Sequence, residues 1–434
     1  MFEDAESDDV SVGRGALDAP HSEHVYVDAE SDDVSVGRGI LDAPLYNVFI
    51  IAPAWLYICF FWRGFGMNDV YCKNWDRVRE RFSAWWAHEP IGTPLLRVAA
   101  AGKPTTNDVP ARDLAFDSLE EQYTDAVKIT ARYRNYCETH WFLEDAFPAA
   151  NLNLGPGSMA LYLGSEPIFA EDTLWYKECI EDWDTFGGIA YNPDNRWWRL
   201  HYDMIKTAKA LARDDFLVTI PDIIENLDIV SALRGPQNLC FDLMDRFETV
   251  RRAVGAVDDL YFRYYDAIYD IVKEQDGSSA YTAFNIWGNG RTAKVQCDFN
   301  ALISPEHFRE LALPSLRKQC RRLDNSIFHL DGPDAIKHVP ALMEIDELNG
   351  LQWTCGAGQP DGACERWYPI YDQVREAGKS LWISVADGGP EDWVKGAIRL
   401  IKRYGPDCLY ILFNDFDGLR EAEAAVEAVK AASV

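Results

Sequence analysis

The sequence predicts an α/β fold: a (β/α)8 TIM barrel with N-terminal helices, preceded by a poorly ordered N-terminal extension. Three observations predict it. From Met67 onward, short apolar runs alternate with helical segments, the signature of parallel βαβ units. Nine such runs occur, one more than a closed barrel of eight requires. No GxGxxG or GxxxxGKS/T motif follows any of them, which removes the common nucleotide-binding open sheets.

The extension comes first. Residues 4–20 (DAESDDVSVGRGALDAP) and 28–44 (DAESDDVSVGRGILDAP) are two copies of one acidic unit, differing only at Ala16 and Ile40. Two copies are too few to stack as a solenoid, and their low apolar content predicts disorder. Leu45–Trp62 is an uncharged, mostly apolar run interrupted by Pro53. It reads in three ways: a marginal membrane anchor, a hydrophobic segment packed on the barrel, or an upstream extension of a protein that starts near Met67. The third reading ranks first, because Asp76 at once opens an amphipathic helix, DRVRERFSAWWAHE. The expected division is therefore 1–66, outside the fold, and 67–434, the barrel.

The strand runs of the barrel are PLLRV (94–98), NLNL (151–154), LVTIP (217–221), AYTAFNI (280–286), KVQCDF (294–299), IFHL (327–330), GLQW (350–353), LWISV (381–385) and CLYILF (408–413). Helices are expected at Asp203–Arg213 and Asp258–Glu274, and after Ser304, which supplies an N-cap with Pro305 at the first helical position. Another runs from Pro390 to Tyr404 and ends at Gly405. The first helices are expected to close the bottom of the barrel.

Composition narrows the function. The chain carries 70 acidic and 42 basic residues, a formal charge of −28, which repels phosphate backbones and anionic lipid. Nucleic-acid and membrane partners are therefore not expected. Ten cysteines lie scattered without a CxxC pair, as in a reduced cytoplasmic protein. Membrane attachment through 45–62 is the alternative location.

In a barrel the site lies where strand C-termini meet the following loops. Polar residues recur there: Asn151 and Asn153; Asp222, Glu225 and Asn226; Asp298; His329 and Asp331; Trp353. Together they are expected to line a catalytic pocket for a small molecule, able to hold an acid–base pair or a metal. Each has a plainer alternative. His329 reads equally as a structural histidine, Asp331 as a turn residue before Gly332, Asp222 as a helix cap, and Trp353 as core.

DFNALISPEHFRELALPSLRKQC (298–320) and SIFHLDGPDAIKHVPALMEIDELNGLQWTCGAG (326–358) resemble the uroporphyrinogen decarboxylase superfamily. The resemblance covers roughly residues 90–430 and is weak before 210. It implies the barrel and two activities: porphyrinogen decarboxylation, or methyl transfer linked to a corrinoid. The decarboxylases grip substrate carboxylates with an Arg-rich motif; here PLLRVAAAGKP offers only Arg97. The methyltransferases hold zinc with His-x-Cys at a strand end and a later Cys. His329 matches that His, Asp331 stands at the Cys position, and Asn414-Asp415 follow the last strand. Carboxylate is still a legitimate ligand, so His329 and Asp331 are the candidate metal ligands.

The leading expectation is a methyltransferase-like enzyme acting on a methylated small molecule, with a corrinoid carried by a partner protein. Its catalytic candidates are His329, Asp331, Asp298 and Glu225. Its substrate-binding candidates are Arg97, Asn151, Asn153, Asp222, Asn226 and Trp353. The alternatives are a porphyrinogen decarboxylase, a barrel that binds a small ligand without chemistry, and a glycoside hydrolase. A homodimer is a further expectation.

Overall fold

Pairing between strands shows how the apolar runs are used. The structure is a computed structural model and describes residues 70–105, 114–281 and 283–433. These fall in one compact unit, Arg63–Val434. The duplicated unit and the Leu45–Trp62 segment lie outside the described residues.

The strands are β1 (Leu95–Ala101), β2 (His140–Glu144), β3 (Ala149–Ala150), β4 (Glu166–Phe169), β5 (Leu174–Lys177), β6 (Leu217–Val218), β7 (Ser279–Tyr281), β8 (Ile286–Gly288), β9 (Thr292–Gln296), β10 (Asn325–Asp331), β11 (Gly350–Thr354), β12 (Ser380–Val385) and β13 (Leu409–Phe413). Six of them run parallel in the order β9-β10-β11-β12-β13-β1, and β2 adds antiparallel to β1. β3 pairs parallel with β6, and Ile220 just beyond β6 bridges Tyr281 of β7 in parallel. The eight strands β1, β3, β6 and β9–β13, with helices between them, make a TIM-barrel-like α/β fold.

The ninth run takes a different course. AYTAFNI folds into the hairpin β7–β8 rather than one long strand. Its tip turns into the barrel interior. Trp382 Nε1 of β12 donates to the Phe284 carbonyl at 2.9 Å, and Tyr410 OH of β13 donates to the Asn285 carbonyl at 2.9 Å. Phe284 and Asn285 both have positive φ, 67° and 49°. A bulky residue in that region is strained unless its surroundings fix it. Here the two inward donors do so, and the Phe284 ring packs on Trp382 with centroids 5.0 Å apart.

NLNL is likewise displaced. The strand is Ala149–Ala150, and Asn151–Leu154 follow it as a loop into Gly155-Pro156-Gly157. Both glycines have positive φ, and a Cβ on Gly155 would lie 2.8 Å from the Tyr176 hydroxyl. The short motif thus clears space for the β4–β5 hairpin.

Helix placement follows the sequence signals at Asp76 and Pro390, while the helices expected at Asp203–Arg213 and Asp258–Glu274 start earlier, as Arg196–Ala212 and Phe247–Val272. Trp75–Trp86 buries Val78, Phe82, Trp85 and Trp86. Trp86 Nε1 donates to the Trp287 carbonyl at 2.7 Å, and Ile91 and Gly92 amides both donate to Asp407 Oδ1 at 2.8 Å. Asn349 Nδ2, at the start of β11, donates to the Trp86 carbonyl at 3.3 Å. These contacts place the helix across the N-terminal end of the barrel. Arg81 locks it there, with Nε 2.6 Å from Asp145 Oδ1 and Nη2 2.7 Å from the Pro94 carbonyl. The helix Pro390–Tyr404 has the expected bounds and Gly405 at φ 77°. After Ser304, the backbone passes through a π-turn at Phe308–Ala312. Pro314 follows it, lacking an N–H and crowding the preceding turn, which accounts for the widening.

His201 offers a test of this layer. It is fully buried in the helix Arg196–Ala212, with Nε2 2.6 Å from the Leu152 carbonyl and Nδ1 2.6 Å from Tyr162 OH. Nε2–H donates to the carbonyl and Nδ1 accepts from tyrosine, so the ring sits there neutral. Burial pushes its pKa down to about 4. The folded state therefore resists protonation that the unfolded chain accepts near 6.5. Stability from this group is complete above about pH 6.5 and is lost as pH falls towards 4, by up to roughly 3 kcal/mol. Urea denaturation at pH 7 and pH 4.5 should show that loss in wild type and a smaller one in His201→Gln.

Candidate metal centre

Register sets the inner face of the barrel wall. In one row, Gln296, His329, Gln352, Trp382, Tyr410 and Leu95 are successive partners across β9, β10, β11, β12, β13 and β1. Directly opposed residues on neighbouring strands share a face. The next row towards the strand C-termini holds Asp331 opposite Thr354, and Ser384, Leu412 and Arg97. Asp298 follows β9 at the same end, where the chain turns into a short helix, Asp298–Leu302.

Asp298, His329 and Asp331 converge. One ligand atom from each lies within 4.8 Å of the other two. His329 Nε2 is 3.9 Å from Asp298 Oδ1. The other ring nitrogen, Nδ1, contacts Gln352 Oε1, and Gln352 Nε2 donates to Thr354 Oγ1 at 2.9 Å. With the amide oriented that way, Nδ1 carries the proton and donates to Oε1. The Nε2 lone pair then faces the carboxylates. Burial, reinforced by the nearby Lys294 charge, pushes the imidazole pKa down to about 4, so the ring is neutral at physiological pH.

The two carboxyls are pushed the other way. Burial first, then repulsion from Asp228, holds Asp298 well above the usual carboxylate range. Burial also raises Asp331. Lys294 offsets this for both from deeper in the barrel, but among the described residues neither exposed carboxyl has a counter-charge in direct contact. A divalent cation would supply one, and the donor set of one imidazole and two carboxylates fits such an ion. No sulfur joins the set. Cys297 is buried beside Asp298 with its thiol pushed well up by burial, and Cys355 is pushed up to about 12 for the same reason.

A network braces Asp298. Asp228 accepts the backbone N–H of Asp298 at 2.9 Å and of Phe299 at 2.8 Å. Gln296 Nε2 donates to Asp228 at 2.8 Å and to Asp298 at 2.9 Å. Lys294, deeper in the barrel, forms an ion pair with Asp222 at 2.6 Å and contacts Gln296. Asp298 and Asp228 also line a cavity of about 460 Å³ that opens beside the cluster.

The other sequence-derived candidates are placed as follows. Asp222 is buried and held by Lys294 and by Tyr281 OH at 2.9 Å, beneath the cluster. Asn226 is buried and donates to the Gln296 carbonyl at 2.8 Å, supporting β9. Glu225 departs from the expectation. It faces the helix layer beside Asp258, Tyr261 and Gln319, and burial pushes its carboxyl well up. Trp353 departs too, since strand alternation sends it outward, against Trp367 at 5.0 Å, when Gln352 points in. Arg97 is on the inner face but is engaged: Nη1 is 2.5 Å from Asp415 Oδ1 and 3.2 Å from the Phe413 carbonyl. Asn151 is exposed and Asn153 half-buried on the loop after β3.

Sequence reasoning missed Asp228, Gln296, Lys294 and Gln352. For Gln352 a signal existed: in GLQW, period-2 alternation leaves a choice between Gln352 and Trp353, and the polar residue is the inward one. For Asp228 none existed, because it lies inside a helix, Asn226–Arg234, away from any strand end. Gln352→Leu should lower divalent-metal affinity about 10- to 100-fold while leaving the fold intact, as loss of an outer-shell partner does. Competition against a chromophoric chelator measures it.

No protein-family model matches the chain, and no curated protein matches it. Among solved structures, one similar chain is a B12-independent methionine synthase from Shewanella sp. W3-18-1 in complex with selenomethionine. It is 8% identical, with 79% of this chain and 96% of that chain covered, at a TM-score of 0.43. A likeness of that strength bears on no functional assignment. Among the described residues, no helix is long and apolar enough to cross a membrane.

Proposed function

We propose that residues 67–434 form a metal-dependent barrel enzyme of the methyltransferase type, within the uroporphyrinogen decarboxylase superfamily. The observation that carries the metal is the convergence of Asp298, His329 and Asp331 with the His329 lone pair facing inward. Zinc is the expected ion. Bound there, it would act as a Lewis acid on a heteroatom of the substrate. The chain's own residues do the rest. Gln352 fixes the imidazole, Asp228 and Gln296 fix Asp298, and the adjoining cavity seats a small methylated molecule. The methyl–heteroatom bond breaks with its electron pair retained by the heteroatom, and the methyl carbon bonds to the acceptor. A corrinoid on a partner protein is the proposed acceptor, and the cytoplasm, which suits an acidic chain with scattered thiols, the proposed location.

Two observations weigh against porphyrinogen decarboxylation. Arg97 is committed to Asp415 and to Tyr136, whose hydroxyl lies 3.3 Å from Nη2. The cavity beside the cluster is lined by carboxylates, which repel a polycarboxylate substrate.

The test is turnover by the zinc-loaded full-length chain, with cob(I)alamin as acceptor and a panel of methylated amines, ethers and sulfides. Methylcobalamin absorbance should appear in wild type and vanish in His329→Ala. Methyl transfer that survives both His329→Ala and Asp298→Asn would contradict the reading, as would decarboxylation of uroporphyrinogen.

A further inference from the structure

The cavity of about 460 Å³ beside Asp298 has an unusual lining. Its aromatic members are Trp175, Tyr176 and Phe299; its charged members are Glu178, Asp228 and Asp298. No Lys, Arg or His is among the described residues that line it, and the remainder is mostly aliphatic or small.

Each of these groups is held in place by the local fold. Tyr176 OH donates to the Leu154 carbonyl at 2.9 Å, and a Cβ on Gly157 would come within 3.4 Å of the Tyr176 ring. The two loop glycines of LGPGS therefore let that ring lie where it does. Glu178 rests on Gly235, where a Cβ would come within 2.4 Å of the carboxylate. Phe299 is buried, anchored through its backbone to Asp228. Trp175, on the exposed hairpin strand β5, stays 63% exposed although it lines the cavity. An indole left in water at a cavity rim has its face free for a ligand.

Ring faces carry negative potential and attract cations, and the carboxylates add a field of the same sign, offset in part at Asp228 and Asp298 by Lys294 behind the lining and by no basic residue in the lining itself. The net charge of −28 extends that field over the whole chain. An anion meets repulsion from every charged group in the cavity. A neutral ligand gains only apolar contact. A compact organic cation gains both.

We infer that this cavity recognises a compact organic cation, a quaternary or protonated alkylammonium or a sulfonium group, borne by the substrate whose other end reaches the metal cluster. The inference rests on the proposed function for the location of the reacting end, but the cation selectivity of the cavity stands on the lining alone. Trp175 and Glu178 contribute to that selectivity and lie outside the metal cluster, so their substitution tests it without touching the metal ligands.

The experiment is calorimetric titration of the zinc-loaded full-length protein with choline and with 3,3-dimethyl-1-butanol. The two share shape and hydroxyl and differ in charge. Choline should bind about three- to tenfold more tightly, the size of one solvent-exposed cation–aromatic contact with a neighbouring carboxylate. Trp175→Ala and Glu178→Gln should each shrink the ratio towards one, with zinc content unchanged. Equal binding, tighter binding of the alcohol, or no binding of either overturns the inference. Zinc content and methyl transfer, read on the same samples, keep the two proposals apart. A choline preference without zinc or turnover sinks only the proposed function. Zinc and turnover without the preference sink only the cation selectivity.

Discussion

Asp222→Ala is expected to destabilise the folded chain by about 3–5 kcal/mol, the range for stranding one member of a buried ion pair. Lys294 is buried at 4% exposure and Asp222 at 6%, with Nζ and Oδ2 2.6 Å apart. Removing the carboxylate leaves a buried ammonium whose remaining hydrogen-bond contact among the described residues is Gln296, with Asp228 and Asp298 acting on it only from a distance, and frees the Tyr281 hydroxyl of its acceptor. The double variant Asp222→Leu with Lys294→Met should recover most of that loss, because it removes both charges and fills the space with apolar volume. Urea denaturation of the two variants against wild type reads the difference. If the pair contributed only surface-like attraction, the single variant would fall by less than about 1 kcal/mol.

His329→Ala is expected to remove stoichiometric divalent-metal binding. The substitution takes away the nitrogen donor of the cluster and leaves Asp298 and Asp331 as two carboxylates with no third ligand among the described residues. Affinity should fall by more than the roughly 10- to 100-fold expected for the Gln352 change, because a direct ligand is lost rather than its support. The fold should tolerate the change. His329 lies near the C-terminal end of β10, and among the described residues its side-chain hydrogen bond is to Gln352. A variant that keeps full metal content would show that the cluster is not where the ion sits.

Much of the architecture was legible because barrel strands and helices obey local rules. The run of strands from KVQCDF to CLYILF appears where period and spacing put it, and the Ser304 and Gly405 caps act as their residue types predict. The hairpin β7–β8 was not legible. AYTAFNI has the composition of a wall strand, and only the donors of Trp382 and Tyr410, more than 90 residues away in sequence, turn its tip inward.

The site divides in the same way. His329, Asp331 and Asp298 were readable as polar residues at consecutive strand ends. Glu225 and Trp353 satisfied the same rule and yet point to the helix layer, since position along a strand does not say which face a side chain takes. That depends on register with the neighbours, here fixed by pairs such as His329 with Gln352. Asp228 braces Asp298 from a helix, through contacts to residues 70 and 71 positions away, which no local pattern encodes.

The most direct measurement is X-ray absorption at the zinc edge of the zinc-loaded full-length chain. One imidazole and oxygen donors, with no sulfur in the first shell and one ion per chain, is the result expected of Asp298, His329 and Asp331. A first shell containing sulfur, or zinc that washes off without leaving a stoichiometric site, would contradict it.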